Sequence, residues 1–292
     1  MAGLLRLVED DTAAIRFSPV LTRGRAVVTL RSLPMNALVR QCLMLRRLVS
    51  LLLAGFVLFL AGRAFAYDSV ESYETRSIEG WTVRIHQQLL KEDKLAQESL
   101  RLLEFQLYQI TRVVPTNAVP KLREIPIWVE LAHPRHPCMC YHPSAGWLRE
   151  HDMNPAKAGA VELANATNFL SWTKQQPWMV LHELAHGYHH RTLGHGHPKL
   201  KAAYEKAVAS KTYEKVLQWN GRTVRHYALN NDQEYFAEAT EAFFGVNDYF
   251  PFVSAELKQH DPEMFELLHE LWGVRPVKAR SPTSDKPEAH NE

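Results

Sequence analysis

Residues 178–191, WMVLHELAHGYHHR, set two histidines one helical turn apart in an otherwise apolar stretch. Met179, Val180, Leu181, Leu184 and Ala185 carry no charge, so the spacing predicts a helix buried in the core. On such a helix His182 and His186 share one face. Ionisable groups in a buried helix need partners, so the fold must bring a second polar element to this face. Two imidazoles at this spacing can hold one zinc ion (Zn2+) at about 2.0–2.1 Å. Glu183, beside the first of them, is placed to take a proton from a water activated there. The HExxH pattern alone recurs by chance; its uncharged flanks sharpen it. His189 and His190 read as surface residues.

Zinc needs a third protein ligand and one position left open. The segment NDQEYFAEATEAFF (231–244) offers Glu234, Glu238 and Glu241 at i, i+4 and i+7, on one helical face. Tyr235, Phe236, Phe243 and Phe244 make that helix largely buried, so its carboxylates also require partners. Glu234 fits the third ligand. Glu238, one turn on, would accept a hydrogen bond from a ligand imidazole and fix its tautomer. Glu241 stays unassigned, as a surface residue or as support behind the ligands.

HExxH on one helix and ExxxE on a following helix resemble the glutamate zincins, the thermolysin-like clan of metallopeptidases. The 48 positions between His186 and Glu234 exceed the separation in thermolysin. They are closer to the catalytic domains of anthrax lethal factor and the Pro-Pro endopeptidases, whose ligand glutamate opens a helix much like EYFAEATEAFF. The resemblance covers about residues 160–245 and is one of motifs. It implies an α+β, zincin-like catalytic domain. A small mixed sheet would set an edge strand above the HExxH helix, and a second helix would carry the third ligand. It further implies zinc-dependent hydrolysis of peptide bonds in a peptide or protein substrate, with Glu183 as general base. In the lethal factor group a tyrosine seven residues before the ligand glutamate stabilises the transition state; Tyr227 stands there, with His226 as runner-up donor. In this clan the edge strand precedes the site helix, which points to VELANA (161–166) and to Asn165 and Ala166 as substrate contacts. An ordinary core strand is the other reading of that segment. A non-catalytic zinc-binding module and a zinc amidase acting on cell-wall peptides are the alternative functions. Glu183 argues against the first, since a purely structural site gains nothing from an uncoordinated acid there.

Net charge bears on partners through its distribution. The formal charge is +2, but residues 1–66 hold nine of the 34 basic and three of the 32 acidic residues. The remainder carries 25 basic and 29 acidic residues with no basic block, so nucleic acid is not an expected partner. Residues 44–66, MLRRLVSLLLAGFVLFLAGRAFA, have a basic start, an apolar run and a small-x-small end before Tyr67. That is the layout of a cleaved signal peptide. The apolar core is shorter than the ~20 residues needed to span a bilayer, so no stable membrane anchor is expected. The protein is expected to be secreted or periplasmic. Residues 1–43 would then reflect a misassigned start, with Met44 or Met35 as the true one. In an oxidising compartment Cys138 and Cys140 could form a disulfide, or stand as thiols beside the site.

The mature chain reads as one domain, 67–275, with a polar, disordered tail over 276–292. Expected elements are a strand at 80–90, a helix over 93–114 with Leu100, Leu103, Leu107, Ile110 and Val114 on one face, and a strand at 125–131. A Pro-rich loop over 134–143, an extended segment at 160–172 and helices at 178–191 and 198–209 follow. Asn220-Gly221 predicts a type I′ hairpin. Helices at 230–245 and 261–273 carry Asn or Asp caps and end on glycine. Trp147, Phe169, Trp172 and Trp178 either line a cleft or pack the core. Oligomeric state is not legible in the sequence.

Overall fold

A computed structural model describes residues 67–133 and 136–274. The chain divides into two units, 1–64 and 65–292, and the described residues fall in the second. The expected leader and the tail from 276 lie outside the described residues. Among the described residues no helix is long and apolar enough to cross a membrane.

The fold is mixed α+β around a five-stranded sheet of order β1-β2-β3-β5-β4. Strands β1 (Tyr73–Ile78) and β2 (Trp81–His86) form an antiparallel hairpin. Ile78 pairs with Trp81 across Glu79-Gly80, both at positive φ, so the type I′ turn sits here. β3 (Ile127–Val129) runs parallel to β2 and to β5 (Ala160–Leu163). β4 (Met139–His142) adds antiparallel to β5 and forms the edge of the sheet.

One face of the sheet is covered by helices. The long helix Asp93–Val113 presents Leu103, Leu107 and Ile110 to the core, as its periodicity predicts. Phe169 on helix Ala166–Trp172 packs into the same cluster. So do Val180, Leu181, Leu184 and Ala185 on helix Met179–Tyr188, hereafter the motif helix. Helix Asp232–Phe244, the acidic helix, lies against it. Helix Pro262–Trp272, capped by Asp261, closes the stack behind. Its Trp272 ring is fully buried, stacks on Tyr188 and Phe236, and donates Nε1–H to Thr240. The fit of the two central helices shows at Gly245, where a Cβ would meet the Trp178 ring at 2.0 Å.

The structure corrects several local expectations. Strand β2 stops at His86 because the His86 ring caps a short helix, Gln87–Lys91. The Pro-rich loop contains β4. The segment 160–172 is β5 followed by a helix, capped by Asn165 through the Asn168 N–H. The second hairpin pairs β6 (Val216–Leu217) with β7 (Thr223–Val224). Only Gly221 of its turn has positive φ, and Gln218 N–H bonds the Arg222 carbonyl, so this is a wider loop than type I′. His189 is fully buried, whereas Trp147 is largely exposed.

Candidate metal centre

The motif helix turns its apolar side into the core and leaves His182, Glu183 and His186 half-buried, with His182 and Glu183 lining a cleft of about 280 Å³. The acidic helix meets it there. Asn231 caps that helix by accepting from the N–H groups of Gln233 and Glu234, which fixes Glu234 in the first turn. The Glu234 carboxylate then reaches both imidazoles.

Three donor atoms converge. His182 Nε2 lies 3.1 Å from His186 Nε2 and 3.2 Å from Glu234 Oε2. His186 Nε2 lies 3.3 Å from the same oxygen. At zinc bond lengths of about 2.0–2.1 Å, neighbouring corners of a tetrahedron are about 3.3–3.4 Å apart. The triangle therefore fits one small divalent ion.

The surroundings reinforce this. His182 Nδ1 donates to Glu241 Oε1 at 2.7 Å, which aims Nε2 at the triangle. Glu238 Oε1 is farther from that nitrogen, at 3.8 Å, and Glu238 Oε2 accepts from Asn247 at 2.9 Å. The supporting acid is thus Glu241, not the expected Glu238. Both glutamates were on the right helical face, but sequence could not tell which one the crossing of the two helices would bring closer. Burial, with Glu241 nearby, pushes the Glu238 carboxyl well above its usual range. Burial opposes charge on His182, yet the hydrogen bonds to Glu234 and Glu241 outweigh it and raise its pKa well above the usual imidazole value. A field that favours a proton on this ring also favours a metal cation beside it. Replacing Glu241 by Gln should weaken zinc affinity about 10–100-fold, and Glu238→Gln less, as measured by competition with a chelating dye.

Tyr227 begins a short 3-10 turn just before the acidic helix. It is 45% exposed and lines the cleft with Glu183. Burial, then the Glu234 charge, raises its pKa, so the phenol keeps its proton at neutral pH. His226 is turned inward instead: it is buried and its Nδ1 accepts from Ala228 N–H. Trp172, Met139 and Met179 form the apolar wall of the cleft.

Three further expectations are corrected. The strand at 161–163 is not an edge, because β3 and β4 flank it. Asn165 serves as a helix cap and Ala166 is fully buried in the core, so neither offers backbone to a substrate. The edge strand is β4, placed against the motif helix by Tyr141, whose hydroxyl is 2.7 Å from His190 Nδ1. Cys138 and Cys140 are free thiols. Cys138 lies just before β4 and does not follow its alternation, so the two sulfurs take different neighbours. Cys138 Sγ contacts Met179 Sδ at 3.3 Å, and burial pushes its pKa up to about 12.

The two helices that build this centre fall inside one recognisable unit. Residues 156–272 match the family described as glucose-regulated metallo-peptidase M90. The match takes in His182, Glu183, His186, Tyr227 and Glu234, and it supports a metallopeptidase, hence a hydrolase with a bound metal, zinc being well suited to the donor set. No curated protein and no solved structure matches the chain.

Proposed function

We propose that the protein is a secreted or periplasmic zinc-dependent peptidase that cleaves peptide bonds within extended substrates. The observation that carries this reading is the triangle of His182, His186 and Glu234 donors with Glu183 beside it in an open cleft. The match to a metallopeptidase family supports it, and the leader-like residues 44–66 support export.

Bound zinc would supply Lewis acidity toward the scissile carbonyl and the attacking water. The side chains do the rest. Glu183 does not belong to the donor triangle, so its carboxylate is free to accept a proton from the attacking water and return it to the leaving nitrogen. The Tyr227 phenol, protonated at neutral pH, would donate to the oxygen that gains charge. An extended substrate can pair with the outer edge of β4, beside Met139 in the cleft wall.

Chelation should abolish cleavage of a mixed peptide library by the full chain, and added zinc should restore it. A chain that binds zinc but cleaves no peptide would favour the binding-module reading instead. Tyr227→Phe should lower kcat about 10²-fold with little change in KM. A rise of the same size in KM alone would assign Tyr227 to substrate binding rather than to the oxyanion.

A further inference from the structure

The other face of β4 carries a second set of metal-ligating side chains. Met139 and Tyr141 face the motif helix, so Cys140 and His142 face away from it. Cys140 Sγ is 3.5 Å from His142 Nε2. His136, on the approach to β4, brings a ring nitrogen into the group, and the donor atoms of the three residues lie within 4.8 Å of one another. With a zinc–sulfur bond of about 2.3 Å and a zinc–nitrogen bond of about 2.0–2.1 Å, adjacent tetrahedral corners are about 3.5–3.6 Å apart. The Cys140–His142 pair already has that spacing, and His136 needs to close in by at most about 1.5 Å.

Support behind the donors comes from β5. Glu162 is fully buried and pairs across the strands with Cys140. Its Oε2 lies 2.6 Å from His142 Nε2, and its Oε1 accepts from Lys157 at 2.5 Å. Lys157 also donates to Glu130 at 2.6 Å. Two buried carboxylates therefore face one ammonium, with the His142 imidazole as the other partner of Glu162. A divalent ion with one thiolate ligand carries a net charge of about +1, a charge that two buried carboxylates sharing one ammonium can accommodate.

We infer that His136, Cys140 and His142 form a second site for a zinc-like divalent ion, with Glu162 behind His142, separate from the His182–His186–Glu234 centre. Two imidazoles and one sulfur suit zinc better than calcium or magnesium, which take oxygen ligands. On binding, the Cys140 thiol releases its proton to solvent, and the His142 proton moves from Nε2 to Nδ1. The ion would fasten the approach at His136 to β4 from behind, stiffening the strand whose front walls the cleft.

The test is cobalt titration of the metal-free full chain, followed by absorption. Cobalt replaces zinc in tetrahedral sites and shows a charge-transfer band only when a thiolate binds it. About two equivalents are expected, one of them with the thiolate band. Cys140→Ser and His136→Ala should each remove the band and one equivalent. Cys138→Ser should keep it. His182→Ala should remove the other equivalent and keep the band, so the two centres are read apart even where a Cys140 variant folds poorly. Absence of a thiolate band in the wild type, or its persistence in Cys140→Ser, would overturn the inference.

Discussion

Glu183→Gln should lose peptide cleavage by about 10²–10⁴-fold while retaining the metal that the wild type binds. The two readouts separate because of position. The amide keeps the size of the side chain and leaves the triangle of His182, His186 and Glu234 intact, with its sides of 3.1–3.3 Å. It removes the only property the proposed mechanism asks of this residue, a carboxylate that can accept and return a proton. The fold should be unaffected, since Glu183 is half-exposed to the cleft and the motif helix is held by its buried apolar side. Metal analysis, a thermal melt and peptide-library cleavage on both proteins check this. Loss of metal together with activity would move Glu183 into the ligand set, and full activity would end the proposed mechanism.

The second large effect concerns stability. Lys157→Met should destabilise the protein by about 3–5 kcal/mol, because it leaves the carboxylates of Glu130 and Glu162 buried without their shared ammonium. The acid dependence should change with it. Burial alone would raise the Glu162 pKa, but the His142 hydrogen bond and the Lys157 charge outweigh it and hold the group at about 2. A carboxyl lowered by folding contributes its full stability above the unfolded value of about 4.5, and loses it as pH falls through about 2. The wild type should therefore lose stability across that window, and Lys157→Met should lose less there, having lost part of the term already. Urea unfolding at several pH values reads both effects. A cost under about 1 kcal/mol would mean that the two acids are satisfied without the lysine.

The helices that build the centre were legible because their signals are local. The four-residue spacing of His182 and His186, the apolar flanks, the Asn231 cap and the Gly245 stop all act within one or two turns. The same holds for the long helix and for the Asp261-Pro262 start of the last one. Composition could further say that buried acids on 231–244 needed a cationic partner.

What escaped the sequence depends on contacts between distant segments. Residues 139–142 read as a Pro-rich loop because four residues carry too little periodicity; pairing with β5 makes them a strand and an edge. The same pairing turns VEL from an expected edge into an interior strand, and so takes Asn165 and Ala166 away from the substrate. Glu241 rather than Glu238 supports His182 because the angle between two helices, set by core packing around Trp178, Phe236 and Trp272, decides which carboxylate is closer. The sequence by itself determined that two particular helices carry side chains able to ligate a metal. Only the tertiary structure decided which atoms meet, since burial and helix crossing are properties of the whole core and not of any short segment.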